Sequence, residues 1–293
     1  MRWKVWAAFA AVCLWAASGW LIPTSGGGLP ELQRQGLAFA VMAVVAMAMG
    51  GLKSQRSGWT LLRAEIAAGS VMFFAVPLVL TVHAKEYAPE TSIAVAFAMA
   101  PVVVVLVWGA VSQEPDGIRN LVPALMGLAG VLLLLPFNLP MSARGWAALI
   151  EIGTAMVFVA SAGVWIYRLL RRVSVMEALA IVGVSNAVCL FIWCGVVGSL
   201  DLSWRDLASG VSWSWGVGAV VAALTVWLLR EIDPISFSAR FLVIPLVTIM
   251  EGFVLLGPEV TGRLVVGMVL LAGGAVWMLL EGRQVDEEVL TLR

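Results

Sequence analysis

The sequence predicts an all-α polytopic membrane protein: ten transmembrane helices arranged as two inverted five-helix repeats. Three observations carry this. Of the 293 residues, 61% are hydrophobic and only 12% are charged, and the mean hydropathy is +0.99. A soluble domain is about 45–50% apolar and about 25% charged. Apolar runs of roughly the 20 residues that a bilayer-crossing helix needs follow one another along the chain, with short polar or Gly/Pro breaks between them. The two halves share residues at one fixed spacing, 144 positions.

The first run, "MRWKVWAAFAAVCLWAASGW", has the basic start, apolar middle and small residues Ala16–Ser18 of a signal peptide. Because further runs follow and it has a counterpart in the second half, it is read as an uncleaved first span at 4–22. The second span is placed at 36–51. The third, 62–83, carries Glu65 near its start and the lone histidine, His83, near its outer end. The fourth, 90–112, has Pro101 near its middle, and the fifth, 120–136, is Gly-rich. The sixth, 146–168, carries Glu151 near its start, then Gly163 and Tyr167, with Arg168, Arg171 and Arg172 following. The seventh, 175–199, carries Glu177, the amide Asn186 and the cysteines Cys189 and Cys194. The eighth is 211–230. The ninth, 235–256, combines Arg240, Pro245 and Glu251 in one apolar stretch, "SARFLVIPLVTIMEGFVLLG". The tenth is 262–281. The connections are too short for an inserted domain, so the chain divides into 1–144, 145–281 and a polar tail, 282–293.

The basic residues set the orientation. With the N-terminus in the cytoplasm, ten spans return the C-terminus there. Twelve Lys and Arg then lie on the cytoplasmic side: Arg2, Lys4, Lys53, Arg56, Arg63, Arg119, Arg168, Arg171, Arg172, Arg230, Arg283 and Arg293. Five lie outside: Arg34, Lys85, Arg144, Arg205 and Arg263. Trp3, Trp6, Trp59, Trp146, Trp204, Trp213 and Trp215, near span ends, read as interface anchors. The 18 basic and 18 acidic residues cancel, so no nucleic-acid partner is expected.

Pro245 lies 144 positions after Pro101, Gly163 after Gly19 and Gly274 after Gly130. "LTV" at 80–82 recurs at 224–226. With five spans per half, an odd number, the second copy enters the membrane upside down. Inverted repeats are a design of secondary transporters, with the solute site between the halves near the midplane.

Ten spans, the duplication and these motifs resemble the drug/metabolite transporter superfamily, EamA type, over nearly the whole chain. The first copy is "PETSIAVAFAMAPVVVVLVWGAVSQEPDGIRNLVPALMGLAGVLLLL", with Pro101, Glu114, Gly127 and Gly130. The second is "PLVTIMEGFVLLGPEVTGRLVVGMVLLAGGAVWML", with Pro245, Glu259, Gly267 and Gly274, and here Pro258 interrupts the helix-exit glutamate motif. "CLWAASGW" resembles the first-helix motif through Trp15, and "SAGVWIYRLLRR" the sixth-helix ending through Tyr167. The resemblance implies a transporter of small metabolites in the bacterial inner membrane, most often an exporter.

Candidate site residues follow from what a membrane interior tolerates. Pro101 and Pro245 each remove a helix hydrogen bond, and the freed carbonyl needs a partner inside the protein or in a wet cavity. They read as hinges or as static kinks. Arg240 and Glu251, eleven residues apart, lie on one face, about 16 Å apart along the axis at 1.5 Å per residue. Thr248 sits at the edge of that stripe. Charges within a span face a polar interior or snorkel to the interface. In the first case Arg240 holds an anionic solute group, and Glu251 takes an ammonium or a coupling proton. Asn186 bonds helices together or touches solute. Trp15 and Trp227 are the tryptophans favoured as cavity walls. Gly19 and Gly163 permit close helix approach.

Glu65, Glu151 and Glu177 read as structural, and His83 as solvated. Cys13, Cys189 and Cys194 lack metal-ligand spacing. There is no phosphate-binding loop, metal cluster or nucleophile elbow. The expected partners are therefore a small-molecule substrate and the lipid bilayer, without a cofactor. The leading reading is a non-enzymatic carrier for amino-acid-like, amine-like or amphipathic solutes. The alternative is a lipid-handling protein or membrane-embedded enzyme with a laterally open cavity.

Overall fold

The computed structural model describes residues 2–21, 29–51, 60–112, 119–135, 140, 142–200, 214–257 and 259–291. Lys53, Arg56, Trp59, Glu114, Trp204, Arg205, Trp213, Pro258 and Arg293, all used above, lie outside the described residues, as do the side chains of Arg2, Trp20, Trp215 and Arg283. Among the described residues there is no strand. Helices follow in order: α1 Arg2–Ala17, α2 Glu31–Gly50, α3 Leu61–Ala84, α4 Glu90–Ser112, α5 Leu121–Leu134, α6 Ala143–Leu170, α7 Val175–Val197, α8 Ser214–Glu231, α9 Pro234–Leu256 and α10 Gly262–Thr291. Seven helices are long and apolar enough to cross a membrane: α2, α3, α4, α6, α7, α9 and the Gly262–Glu281 part of α10. α1 and α5 are shorter apolar helices. The segment from 282, expected to be a separate tail, instead continues α10 to Thr291; its Glu, Leu, Arg and Gln residues are good helix formers.

Local chemistry sets the helix ends. The Ser142 side chain accepts from the Gly145 amide at 3.1 Å, opening α6. Ser174 accepts from the Glu177 amide at 3.2 Å, opening α7. Asp233 accepts from the Ser236 amide at 2.8 Å, with Pro234 at the first helical position, opening α9. α7 and α9 end on left-handed glycines, Gly198 (φ 70°) and Gly257 (φ 56°). The outward faces are apolar: Ile150, Ile192, Val196, Val254 and Val269 are all exposed, Val254 at 85%. In water such a surface would be an association site; facing lipid tails it is at home.

The interior is built by pairwise packing. α5 lies on α10, and α2 on α7. α3 lies on α6 and α7, and α8 on α1 and α2. α4 lies on α6, and α9 on α1. Glycines set the closest crossing. A Cβ on Gly130 would stand 2.6 Å from the Leu271 amide nitrogen and 2.7 Å from the Gly267 carbonyl. A Cβ on Gly274 would stand 2.6 Å from both the Gly127 nitrogen and the Pro123 carbonyl. The backbones of α5 and α10 are therefore nearly in contact. Residue 123 meets 274 and 134 meets 267, so these two helices run antiparallel. The same holds for α2 and α7, where Gly183 meets Phe39 and Ala43, and Gly36 meets Leu190 and Phe191.

Three helices are interrupted. In α3, a π-helical turn spans Val71–Ala75 just before Pro77, whose ring and missing N–H disrupt the preceding turn. α4 breaks at Met99, two residues before Pro101, where the Met99 amide reaches back only to Ala96 (3.1 Å). α9 breaks at Ala239, whose amide reaches Ser236 at 3.2 Å. Pro245 itself stays inside a continuous helix, Arg240–Leu256. The break in α9 thus lies six residues before Pro245.

Candidate functional site

The break at Ala239 positions the site. Beyond it, Phe237, Arg240 and Phe241 stand at i, i+3 and i+4, a spacing that places side chains on one side of a helix. Here the three side chains meet. The Arg240 guanidinium carbon lies 4.1 Å from the Phe237 ring centroid and 4.6 Å from that of Phe241. Phe73, on the π-helical turn of α3, adds a third ring at 5.3 Å. Cation–π contact offsets part of the cost of taking the charge out of water. Among the described residues no carboxylate pairs with Arg240 and no hydrogen-bond acceptor reaches it. Arg240 is half-buried, so its guanidinium is not sealed from the crevice.

These residues line a crevice among α3, α4, α6, α8 and α9. The other walls are Val104, Val159, Gly163, Leu229, Pro234 and Ser238. Its enclosed space is small, about 10 Å³, on the scale of a single water. Gly163 keeps room for the cradle: a Cβ there would stand 3.2 Å from the Phe73 ring. Gly19, its counterpart at the 144 spacing, has open space where a side chain would be. Gly19 lies in the short 3-10 turn that follows α1, and no described atom stands within 4 Å of where its Cβ would be.

α9 presents its polar residues to α1. Cys13 is buried within electrostatic range of Arg240. Thr248 Oγ1 donates to the Ala17 carbonyl at 3.3 Å and to Ile244 at 3.0 Å. Ser18 Oγ donates to Glu251 Oε1 at 2.5 Å. Arg240, Thr248 and Glu251 therefore do share a face. They form no ion pair with one another. Arg240 turns onto three rings inside the bundle, whereas Glu251 is engaged at the end of α1.

The other candidates stand apart. Tyr167 accepts from Arg171 Nη1 at 2.8 Å and meets Trp108 edge-on at 6.0 Å, with Arg168 over the Trp108 ring. That cluster closes the C-terminal ends of α4 and α6. Asn186 is fully buried. It accepts from the Ala75 amide at 3.2 Å and donates to Ser70 Oγ (3.2 Å) and the Val182 carbonyl (2.8 Å). The amide thereby ties α7 to the π-helical turn of α3. Trp227 is half-buried against the main core cluster, and Trp15 is half-buried on α1. Trp165, Trp193 and Trp277 are exposed on the outer surface. Pro101 is buried, and Pro245 is half-buried.

Among the acids, Glu177 pairs with Arg63 at 2.8 Å and Glu151 with His83 at 2.8 Å. Both link α3 to the second half of the chain.

Sequence reasoning missed the aromatic cradle and one further contact. Phe97 and Phe241 stack with centroids 5.8 Å apart and planes at 20°. They are 144 positions apart, and each stands four residues before a repeat-related proline. That spacing was the available signal. Both carbonyls lose their i+4 amide partner to a proline.

No protein-family model matches the chain, and no curated protein matches it. Among solved structures, one described only as a crystal structure of a protein is similar with a TM-score of 0.71 and 19% identity. The match covers 96% of this chain and 99% of that one. At that identity the likeness shows the fold alone.

Proposed function

We propose that this chain is a secondary transporter of the drug/metabolite, EamA type. Ten spans in two inverted repeats, 1–144 and 145–281, carry a small metabolite across the bacterial inner membrane by alternating access. Export is the favoured direction, and both termini are cytoplasmic. One observation carries the reading: exchanging each helix for the one five places on maps the most extensive packing contacts onto one another. α3 on α6 becomes α8 on α1, α2 on α8 becomes α7 on α3, and α4 on α6 becomes α9 on α1, all of which occur. α2–α7 and α5–α10 map onto themselves. The antiparallel sense of the latter two pairs agrees with a second copy entering upside down. Such a scaffold supports two equivalent arrangements of its halves, which is what alternating access requires.

Counterflow in proteoliposomes tests this. Purified protein is reconstituted and loaded with one solute at a time from a panel of amino acids, amines, nucleosides and organic acids. A carrier shows uptake of labelled solute stimulated by unlabelled solute on the far side. A panel without any trans-stimulation contradicts the reading.

A further inference from the structure

We infer that His83 and Glu151 form a proton-operated latch between the two halves: acid holds it closed at the end of the bundle where α3 finishes, and rising pH through neutrality loosens it. The inference rests on the transporter reading for its physiological meaning and on the contact itself for its chemistry. α3 is tied to the second half at three levels. Near its start Arg63 pairs with Glu177 at 2.8 Å, the two side chains only 11% and 10% exposed. At its middle Asn186 holds Ser70 and the Ala75 amide. At its finish His83 Nδ1 meets Glu151 Oε2 at 2.8 Å. The first two ties are sealed in the bundle, and neither a guanidinium nor an amide changes charge near neutrality. The third differs. The His83 side chain is 60% exposed, so protons reach it from water, and it is the single histidine of the chain. Histidine is the side chain whose ordinary charge change falls between pH 5 and 8.

Protonated, the imidazole gives Glu151 a charge-assisted hydrogen bond. Neutral, it offers a weaker donor, or in the other tautomer a lone pair facing the carboxylate. The neighbouring charges leave the pair to itself. Lys85 stands 3.2 Å from Glu31 of α2. Arg144 of α6 lies over the Tyr87 ring at 5.8 Å, and that ring meets His83 edge-on at 6.0 Å. Glu86 is within electrostatic range of His83, while Arg34 lies on α2 and Glu90 in the first turn of α4. Among the described residues Glu151 has no ion-pair partner but His83.

The latch exists at one end only. At the 144 spacing His83 and Glu151 correspond to Trp227 and Ala7, on α8 and α1, the helix pair that answers to α3 and α6. Neither residue there can take a proton. Of two otherwise equivalent arrangements of the halves, a proton therefore favours the one closed at the His83 end, because it binds more tightly where Glu151 is beside it. In the proposed orientation that end faces away from the cytoplasm.

The experiment uses the full chain in lipid nanodiscs. Amide hydrogen exchange is followed over 80–88 and 143–152 between pH 5.5 and 8.5, for wild type, His83→Gln and His83→Lys. Comparing the three proteins at each pH removes the intrinsic effect of pH on exchange. Wild type should be about two- to fivefold better protected than His83→Gln at pH 5.5, the scale for an exposed ion pair, and equal to it at pH 8.5. His83→Lys, charged throughout, should keep its advantage over His83→Gln at both. A wild type that tracks His83→Gln at every pH overturns the inference. Counterflow is then measured with the pH of each face set separately, using any solute of the panel that exchanges. Acid at the His83 face alone should change the rate in wild type and not in His83→Gln; a rate indifferent to it in wild type overturns the inference and leaves the transporter reading standing. If no solute exchanges, the transporter reading fails, and hydrogen exchange alone decides the latch.

Discussion

In the proposed duplication α4 corresponds to α9, and each carries a proline with a phenylalanine four residues earlier. Those two phenylalanines, Phe97 and Phe241, stack on each other. Beyond that shared frame the helices diverge. Where α9 has Arg240 and Glu251, α4 has Ala96 and Val107 at the 144 spacing. Ala96 is buried and apolar, while Arg240 sits in an aromatic cradle without a counter-charge. The proline and aromatic frame belongs to both halves and so speaks to how they move against each other. The charges belong to one half and speak to what is recognised.

The frame is the part whose disruption costs most. Gly130→Ala and Gly274→Ala place a methyl group against the backbone of the facing helix. Each should destabilise by about 1–3 kcal/mol, with the two effects alike, measured by thermal unfolding in detergent. Gly19→Ala, in open space, should stay within about 0.5 kcal/mol. Unequal effects at Gly130 and Gly274 would break the symmetry of the frame.

Asn186→Ala leaves the Ala75 amide without its side-chain acceptor inside the protein. A loss of about 1–3 kcal/mol is expected, read from the same unfolding curves. Arg240→Gln should behave in the opposite way. Arg240 is half-buried and, among the described residues, no carboxylate pairs with it, so removing its charge should leave the unfolding temperature at or slightly above that of wild type. A smaller loss than at Asn186 is expected at the α1 contact. Ser18→Ala removes the hydrogen bond to Glu251 and should cost about 0.5–1.5 kcal/mol. If Glu251 carries a coupling proton, Glu251→Gln flattens the pH dependence of transport; an unchanged pH profile removes it from that role.

Much of this was legible in the sequence because lipid imposes simple rules. Each of the ten helices overlaps its expected segment, since a backbone in hydrocarbon satisfies its hydrogen bonds within a helix. The shared face of Arg240 and Glu251 followed from helical geometry alone. The partners of that face did not. Phe73 lies far from Arg240 in the chain and reaches it only because a π-helical turn before Pro77 redirects α3. α9 breaks at Ala239, six residues before Pro245, at a position that no residue pattern in the sequence marked. Asn186 read more as glue between helices than as solute contact, and only the position of the Ala75 amide identifies the partner it holds. The 144 spacing of Phe97 and Phe241 was present in the sequence, yet what made it meaningful was their stacking across the interface.

The most direct test of a two-halved frame that works by alternating access is counterflow in proteoliposomes across the panel of amino acids, amines, nucleosides and organic acids. The account predicts uptake of at least one labelled solute stimulated by unlabelled solute on the far side. A panel without any trans-stimulation would contradict it.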